Sequence, residues 1–294
     1  MTSAVLRVTA PAKVNLFLSV GAPAADGYHP VETVLHAIAL ADTVTLAPAS
    51  ALEFSCTPGL GLSDEQNLAH RAAVAMGERF HREPCVSISV EKRIPAGSGL
   101  GGASADAAAV VFGLALLWGV DPDDGALHEV ARSLGADVPF FLVGGAARFT
   151  GRGDVLEHAL PPVDAPVVVV RPAEPLSTAA AYAAFDRMPW VSQPSPCAIE
   201  DALRAGDVAA VAGSLFNAMT PSSVTLVPAI ADALAVVRGS DGVVAAEMSG
   251  SGSAVFGVCR EPEDAVRCAA RAREAGCWAE ATRFRSRGCS IEPG

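Results

Sequence analysis

Residues 95–104 read Pro95-Ala96-Gly97-Ser98-Gly99-Leu100-Gly101-Gly102-Ala103-Ser104, with four glycines inside six positions. Glycine takes positive φ without strain and lets a ligand approach the main chain closely. A strand-like run (85–93) precedes the cluster and an alanine-rich helical run follows it. A loop of this kind aims several N–H groups at one spot, where the helix dipole also favours negative charge. The ligand this suits is a phosphate. The spacing is not that of a P-loop, because no lysine lies inside or just after the cluster. Gly97-x-Gly99-x-x-Gly102 meets the dinucleotide fingerprint by letter. That fingerprint also needs an N-terminal βαβ unit and an acidic residue about 20 residues on. Asp121 and Asp123 lie near that distance but read as a turn around Pro122. The same glycines could equally serve only a tight strand-to-helix turn.

Other residues with chemical potential are scattered. Lys13 and Lys92 are the only two lysines beside 19 arginines, and both flank motifs. A lysine is a compact point charge with a tunable pKa, whereas arginine is a planar fork. Asn15 follows Lys13 by two positions. Asp137 sits in Leu134-Gly-Ala-Asp-Val-Pro139, Tyr28-His29 in a turn after Asp26-Gly27, and Ser249-Gly250-Ser251-Gly252 forms a second small glycine loop. Taken singly, each has an ordinary reading: Asp137 as a loop or cap residue, Lys13 as an edge-strand charge, Asn15 as a turn or ladder residue, and 249–252 as a hairpin turn. His36, His70, His81, His128 and His158 show no ligand spacing, and the seven cysteines include no CxxC pair and no zinc pattern.

The elements that must position these groups alternate in mixed order, which predicts an α+β fold of two parts. Residues 5–10 and 13–20 read as strands, then 31–40 as an apolar run and 43–47 as a strand. Asn67 is placed to cap a helix ending near Phe80, and further helices are expected from the glycine loop to Trp118 and over 124–134. Residues 134–139 read as a loop before apolar 140–143 and the Gly144-Gly145 turn, and 149–159 as strand with turns. Pro161-Pro162 marks a composition shift, and the expected division is 1–160, with the glycine loop, and 161–294. The second part opens with a strand at 167–171. Helices are expected at 178–187, 199–205, 208–217 and 225–238, then strands at 243–248 and 254–259, a helix at 263–275 and a strand at 278–284.

A net charge of −11 argues against a nucleic-acid partner and means that a polyanion must be held by local dipoles and a few cations. The apolar stretches are too short to span a bilayer, and the first 20 residues carry no secretory h-region. The expectation is a cytoplasmic protein without a membrane partner.

Pro11-Ala-Lys-Val-Asn-Leu-Phe-Leu18, Asp26-Gly-Tyr-His29, the loop at 95–104, Leu134-Gly-Ala-Asp-Val-Pro139 and Met248-Ser-Gly-Ser-Gly-Ser253 occur in the order used by GHMP-type small-molecule kinases. Over about residues 8–256 the chain resembles the GHMP kinase family, and within it the branch that phosphorylates a diphosphocytidyl methylerythritol on the route to isoprenoid precursors. That resemblance implies a two-domain architecture with the active site in the interdomain cleft and ATP as phosphoryl donor, accompanied by Mg²⁺. It implies that Pro95–Ser104 wrap the ATP phosphates, that Asp137 is the base for the acceptor's 2-hydroxyl, and that Lys13 sits beside it. Asn15 would orient the acceptor, and Tyr28 and His29 would stack on and hydrogen-bond the cytosine. Tyr182 or Phe185 would supply a second aromatic from the C-terminal part, although core packing of a helix accounts for them as well. Residues 249–252 would shape the pocket near the phosphates. Many relatives carry serine straight after Gly-Leu-Gly, where a hydroxyl can reach Mg²⁺; here those positions are Gly102 and Ala103, so no protein ligand for the ion follows. A kinase for homoserine, mevalonate or a sugar, a nucleotide-binding protein without turnover, and a dinucleotide oxidoreductase are the competing readings.

Overall fold

The computed structural model describes residues 5–25, 27–59, 61–121 and 124–292. Asp26, in the motif before Tyr28, and Pro122 and Asp123, in the turn read after Trp118, lie outside the described residues.

Apolar positions alternating through the first 48 residues build two long antiparallel strands, β1 (Leu6–Val20) and β2 (Val31–Pro48). The breaks expected near residues 11 and 41 do not occur. Instead the β1–β2 register shifts between Pro11 and Ala12 and again between Asn15 and Phe17. A bulge tolerates a residue without an N–H and re-aims the side chains around it. The two shifts bracket Lys13 and Asn15.

β3 (Glu53–Thr57) runs parallel to β4 (Val86–Glu91), and β4 pairs antiparallel with β2. Between them, α1 (Leu68–Phe80) starts where Asn67 accepts a hydrogen bond from the Ala69 N–H, as the cap signal predicts. α2 (Gly102–Trp118) follows the glycine loop and is buried along residues 105–111. An apolar helix of this kind belongs in a core. α3 (Gly125–Leu134) is capped by Asp124.

Residues 138–143 form a short helix, α4 (Val138–Val143), where a loop and a bare apolar run were expected. Pro139 suits its first turn, where an N–H would have no partner, and Phe140 and Phe141 are fully buried beneath it. β5 (Ala146–Thr150) and β6 (Val155–Leu160) complete a hairpin on the free side of β2.

Residues 161–165 lead to a second antiparallel sheet. Its strands are β7 (Pro166–Arg171), β9 (Val243–Met248), β10 (Val255–Cys259) and β11 (Trp278–Arg283), in the order β11-β7-β10-β9. Before β9 come α5 (Thr178–Phe185), α6 (Cys197–Ala205), α7 (Val208–Gly213), the two-residue β8 (Phe216–Asn217), α8 (Thr220–Leu226) and α9 (Ala229–Arg238). α10 (Pro262–Glu274) precedes β11, and β12 (Ser290–Ile291) ends the described chain.

Two expected helices are corrected here. The run 208–217 stops at Gly213, and Phe216-Asn217 joins the first sheet beside Phe17 and Leu18 of β1. The run 225–238 is split at Val227, which the following Pro228 pushes out of the helical region to φ −132°, ψ 85°. The division near residue 160 is also less simple in space. β8 and β12 both return to β1, and one buried cluster contains Val14 and Leu16 of β1 with Val167, Ile199 and Phe256. Among the described residues no helix is long and apolar enough to cross a membrane.

Candidate active site

The glycine loop between β4 and α2 owes its path to left-handed backbone at Gly97, Gly99 and Gly101 (φ 62°, 79° and 76°). Gly99 is the most constrained. A Cβ there would lie 2.3 Å from the Ser249 carbonyl oxygen, so only glycine lets the two loops meet. Ser98 donates its hydroxyl to the Pro95 carbonyl (2.7 Å), while Ala96 and Gly97 are exposed. Gly101 precedes the helix, its carbonyl accepts from the Ala105 N–H (2.8 Å), and Ala103 and Ser104 lie in the first turn of α2.

β1 reaches the same loop, since the Lys13 N–H donates to the Leu100 carbonyl at 3.0 Å. The Lys13 side chain is 3% exposed, donates to Asn15 Oδ1 at 2.7 Å and stands 3.6 Å from Asp137 Oδ2. Asn15 in turn donates to Thr33 Oγ1 (2.9 Å), whose hydroxyl donates to the Phe17 carbonyl (2.7 Å). A chain of buried bonds therefore fixes the lysine head. Asp137 occupies the N-cap position of α4 but makes no capping bond with its side chain. Its carboxylate, 37% exposed, is left for Lys13 and for whatever enters the site.

The second loop, Ser249–Gly252, closes over the first. The Ser249 hydroxyl donates to the Gly99 carbonyl (3.0 Å) and lies 3.4 Å from Asn15 Oδ1, and the Ala254 N–H donates to the Ser98 carbonyl (3.0 Å). Ser251 meets Thr178 Oγ1 at 3.0 Å. Asn217 on β8, which the sequence reading did not single out, locks this loop: its amide NH₂ donates to both the Met248 and Gly250 carbonyls at 2.8 Å. Its Oδ1 accepts the Met219 N–H at 2.9 Å, so every function of a buried amide is used.

Tyr28 and His29 face different ways. Tyr28 is 55% exposed, and the Arg152 guanidinium lies 3.6 Å from its ring centroid. The His29 ring is buried, with Nδ1 against the Gly21 carbonyl (2.8 Å) and Nε2 3.1 Å from Asp186 Oδ1. Both ring nitrogens are thus engaged within the protein, where the sequence reading had the histidine offered to a base. The Tyr182 and Phe185 rings, both half-buried on α5, pack on His29 at 5.3 Å and 5.9 Å, the latter edge-on. Burial, and then the Asp137 charge, push the Tyr182 phenol up.

Lys92 belongs to a separate buried cluster at the base of α2. It pairs with Asp42 and, at 2.5 Å, with Asp106, while Asp42 Oδ1 accepts the Ile94 N–H at 2.8 Å. Burial opposes the lysine charge, but Asp106 and Asp42 hold the ammonium above its usual range. Burial, partly offset by Lys92, pushes the Asp106 carboxyl up to about 8. Asp106, the one acid in the apolar run 102–118, is the sequence signal that could have pointed to this cluster. Among the described residues no group of three or more His, Cys, Asp or Glu could hold a metal ion.

Comparison with known proteins places this arrangement. The profile of the GHMP kinases N terminal domain matches residues 67–145, and that of the GHMP kinases C terminal domain matches residues 199–276. The chain is 41% identical over 253 residues to 4-diphosphocytidyl-2-C-methyl-D-erythritol kinase of Streptomyces coelicolor, covering 83% of this chain and 84% of that protein. It is 39% identical over 277 residues to the enzyme of that name from Mycobacterium tuberculosis (92% and 86%). A crystal structure of 4-(cytidine 5'-diphospho)-2C-methyl-D-erythritol kinase superposes with a TM-score of 0.81 at 36% identity, over 95% of this chain and 99% of that one. A homoserine kinase from Cytophaga hutchinsonii shares the fold at 19% identity and a TM-score of 0.76, over 99% and 98%.

Proposed function

The chain belongs to the 4-diphosphocytidyl-2-C-methyl-D-erythritol kinases of the GHMP kinase family, and from that premise we infer how its residues perform the reaction. It is an ATP-dependent kinase that phosphorylates the 2-hydroxyl of the cytidyl substrate in the methylerythritol phosphate pathway. The observation that carries the residue assignment is the Lys13–Asp137 pair, held beside two interlocked glycine loops.

Phosphoryl transfer needs positioning and charge stabilisation more than covalent chemistry from the protein. Pro95–Ser104 cradle the ATP phosphates through main-chain N–H groups and the α2 dipole, and Ser249–Gly252 shape the other wall. Asn15 orients the acceptor. Asp137 takes the proton of the 2-hydroxyl as its oxygen bonds to the γ-phosphorus and the bond to the β-phosphate oxygen breaks, releasing ADP. Lys13 stabilises negative charge on that oxygen and on the transferred group. Mg²⁺ accompanying ATP would neutralise charge on the phosphates beside Pro95–Ser104, and no side chain is assigned to hold it. Tyr28 provides the cytosine platform, His29 lines it, and Tyr182 or Phe185 closes it from α5. In this reading residues 1–160 bind ATP, residues 161–294 complete the substrate site, and the reaction takes place in the cleft between them.

Thermal protection tests the substrate assignment. CDP and ATP should each raise the melting temperature, because a ligand that binds only the folded state stabilises it. Protection by ATP without any by CDP would favour a homoserine, mevalonate or sugar kinase.

A further inference from the structure

Lys92 is one of two lysines in a chain with 19 arginines, and the chemistry assigned to Lys13 and Asp137 does not use it. It follows directly on β4, just ahead of the glycine loop. Its N–H donates to the Thr57 carbonyl at the end of β3 (2.8 Å), and its ammonium reaches two buried carboxylates, Asp42 on β2 and Asp106 on α2, the latter at 2.5 Å. Asp42 also accepts the main-chain N–H groups of Arg93 and Ile94, the second at 2.8 Å. The segment that enters the loop and the helix that leaves it are therefore tied to one ammonium.

That ammonium also sits against the loop itself. A Cβ on Gly102 would lie 3.3 Å from Lys92 Nζ and 3.0 Å from Ile94 Cγ2. Contacts this tight suit a compact ammonium and leave no room for the wider plane of a guanidinium. A lysine at this position, in a chain that otherwise uses arginine, follows from the space beneath Gly102.

Two carboxylates share this one cation, and Asp106 is the less supported. Its Oδ1 has no hydrogen-bond partner among the described residues, whereas both oxygens of Asp42 are engaged. Burial, offset in part by Lys92, pushes the Asp106 carboxyl up to about 8. The other ionisable groups facing it are the thiols of Cys56 on β3 and of Cys289, whose Sγ lies 3.8 Å from the Ala105 carbonyl, and burial pushes both up. Above pH about 8, Asp106 adds a negative charge at the start of α2, behind Gly102.

We propose that Lys92 is a positioning residue for the phosphoryl donor: bridged between Asp42 and Asp106, it fixes the two ends of the glycine loop against each other and offsets the carboxylates behind Gly102. The proposal rests on the reading of Pro95–Ser104 as the ATP-phosphate loop.

Binding of MgATP and of CDP is measured by calorimetry for wild type, Lys92→Arg and Asp106→Asn at pH 7 and 9, alongside melting temperatures. Lys92→Arg keeps the charge but not the shape. It should raise the MgATP Kd about tenfold and change CDP binding by less than about twofold. A purely structural role would lower the melting temperature and leave the MgATP Kd of the folded protein alone. In wild type the MgATP Kd should rise about three- to tenfold from pH 7 to 9 as Asp106 loses its proton, and Asp106→Asn should remove most of that rise. An unchanged MgATP Kd in Lys92→Arg, an equal weakening of CDP, or the same pH dependence in wild type and Asp106→Asn overturns the proposal and leaves the ATP-loop reading intact. If Lys92→Arg does not fold, the pH comparison with Asp106→Asn decides alone. Wild-type protein that binds no MgATP would instead bring down the ATP-loop reading, and the role of Lys92 with it.

Discussion

Lys13 and Asp137, one on a bulged strand and the other at the mouth of a six-residue helix, meet at 3.6 Å with the lysine buried and the aspartate open to the site. Asp137 spends nothing on capping its own helix. That leaves the carboxylate turned to Lys13 and the site, as its proposed role as base requires.

Asp137→Asn keeps the shape and removes the base. kcat should fall by about 10²–10⁴, with the ATP Kd nearly unchanged, because the glycine loop, not Asp137, is the proposed ATP-binding element. Single-turnover kinetics with parallel ATP titration checks this. An equal loss of ATP binding would make Asp137 a structural residue.

The two glycine loops touch at Gly99, where a Cβ would meet the Ser249 carbonyl at 2.3 Å, whereas a Cβ on Gly97 meets nothing within 4 Å. Gly97→Ala should cost only the left-handed backbone strain, about 1–2 kcal/mol. Gly99→Ala must also push the loops apart, so it should lower the melting temperature further and raise the ATP KM. Matching thermal and kinetic profiles for the two variants would contradict the interlock.

Asn217 is the clamp on the second loop. Asn217→Ala leaves the Met248 and Gly250 carbonyls without their donor and should destabilise the fold by about 3 kcal/mol. Asn217→Asp keeps the acceptor for the Met219 N–H but replaces both donors with an anion facing two carbonyls, so it should be at least as harmful. Urea unfolding of both variants decides the point.

His36 is fully buried and its pKa is lowered to about 4, chiefly by burial. Its Nε2 accepts the Val163 N–H at 3.2 Å, which the charged ring could not do. The unfolded chain holds this proton more tightly, so the His36 contribution to stability is complete above pH ~6.5 and lost as pH falls towards ~4, by about 3 kcal/mol. Urea midpoints at pH 7.5 and 4.5 should therefore differ more for wild type than for His36→Gln; equal differences would refute this.

Local signals were readable where a residue acts on its own neighbours. Asn67 and Asp124 announced helix starts, and the glycine spacing announced a loop feeding a helix. The continuity of β1 and β2 was hidden because Pro11 reads as a break, and only pairing with a partner strand turns it into a bulge. Phe216-Asn217 looked helical because its strand partner, β1, lies some 200 residues earlier. Within the site, the glycine loops stood out by residue type and spacing, whereas Lys13 and Asp137 each had an ordinary reading alone and took their proposed roles from the resemblance. Asn217, Asp42 and Asp106 did not stand out, since each acts through partners distant in sequence, and Lys92 stood out without them. His29 shows the same limit: its ring is spent on Gly21 and Asp186, which spacing alone does not show.

ADP release from MgATP with 4-diphosphocytidyl-2-C-methyl-D-erythritol, beside homoserine and mevalonate, reads out the acceptor, with ³¹P NMR locating the new phosphate. Turnover is expected with the cytidyl compound alone, leaving a phosphate on its 2-hydroxyl. Turnover only with homoserine or mevalonate, or none with any acceptor, would contradict the cytidyl assignment.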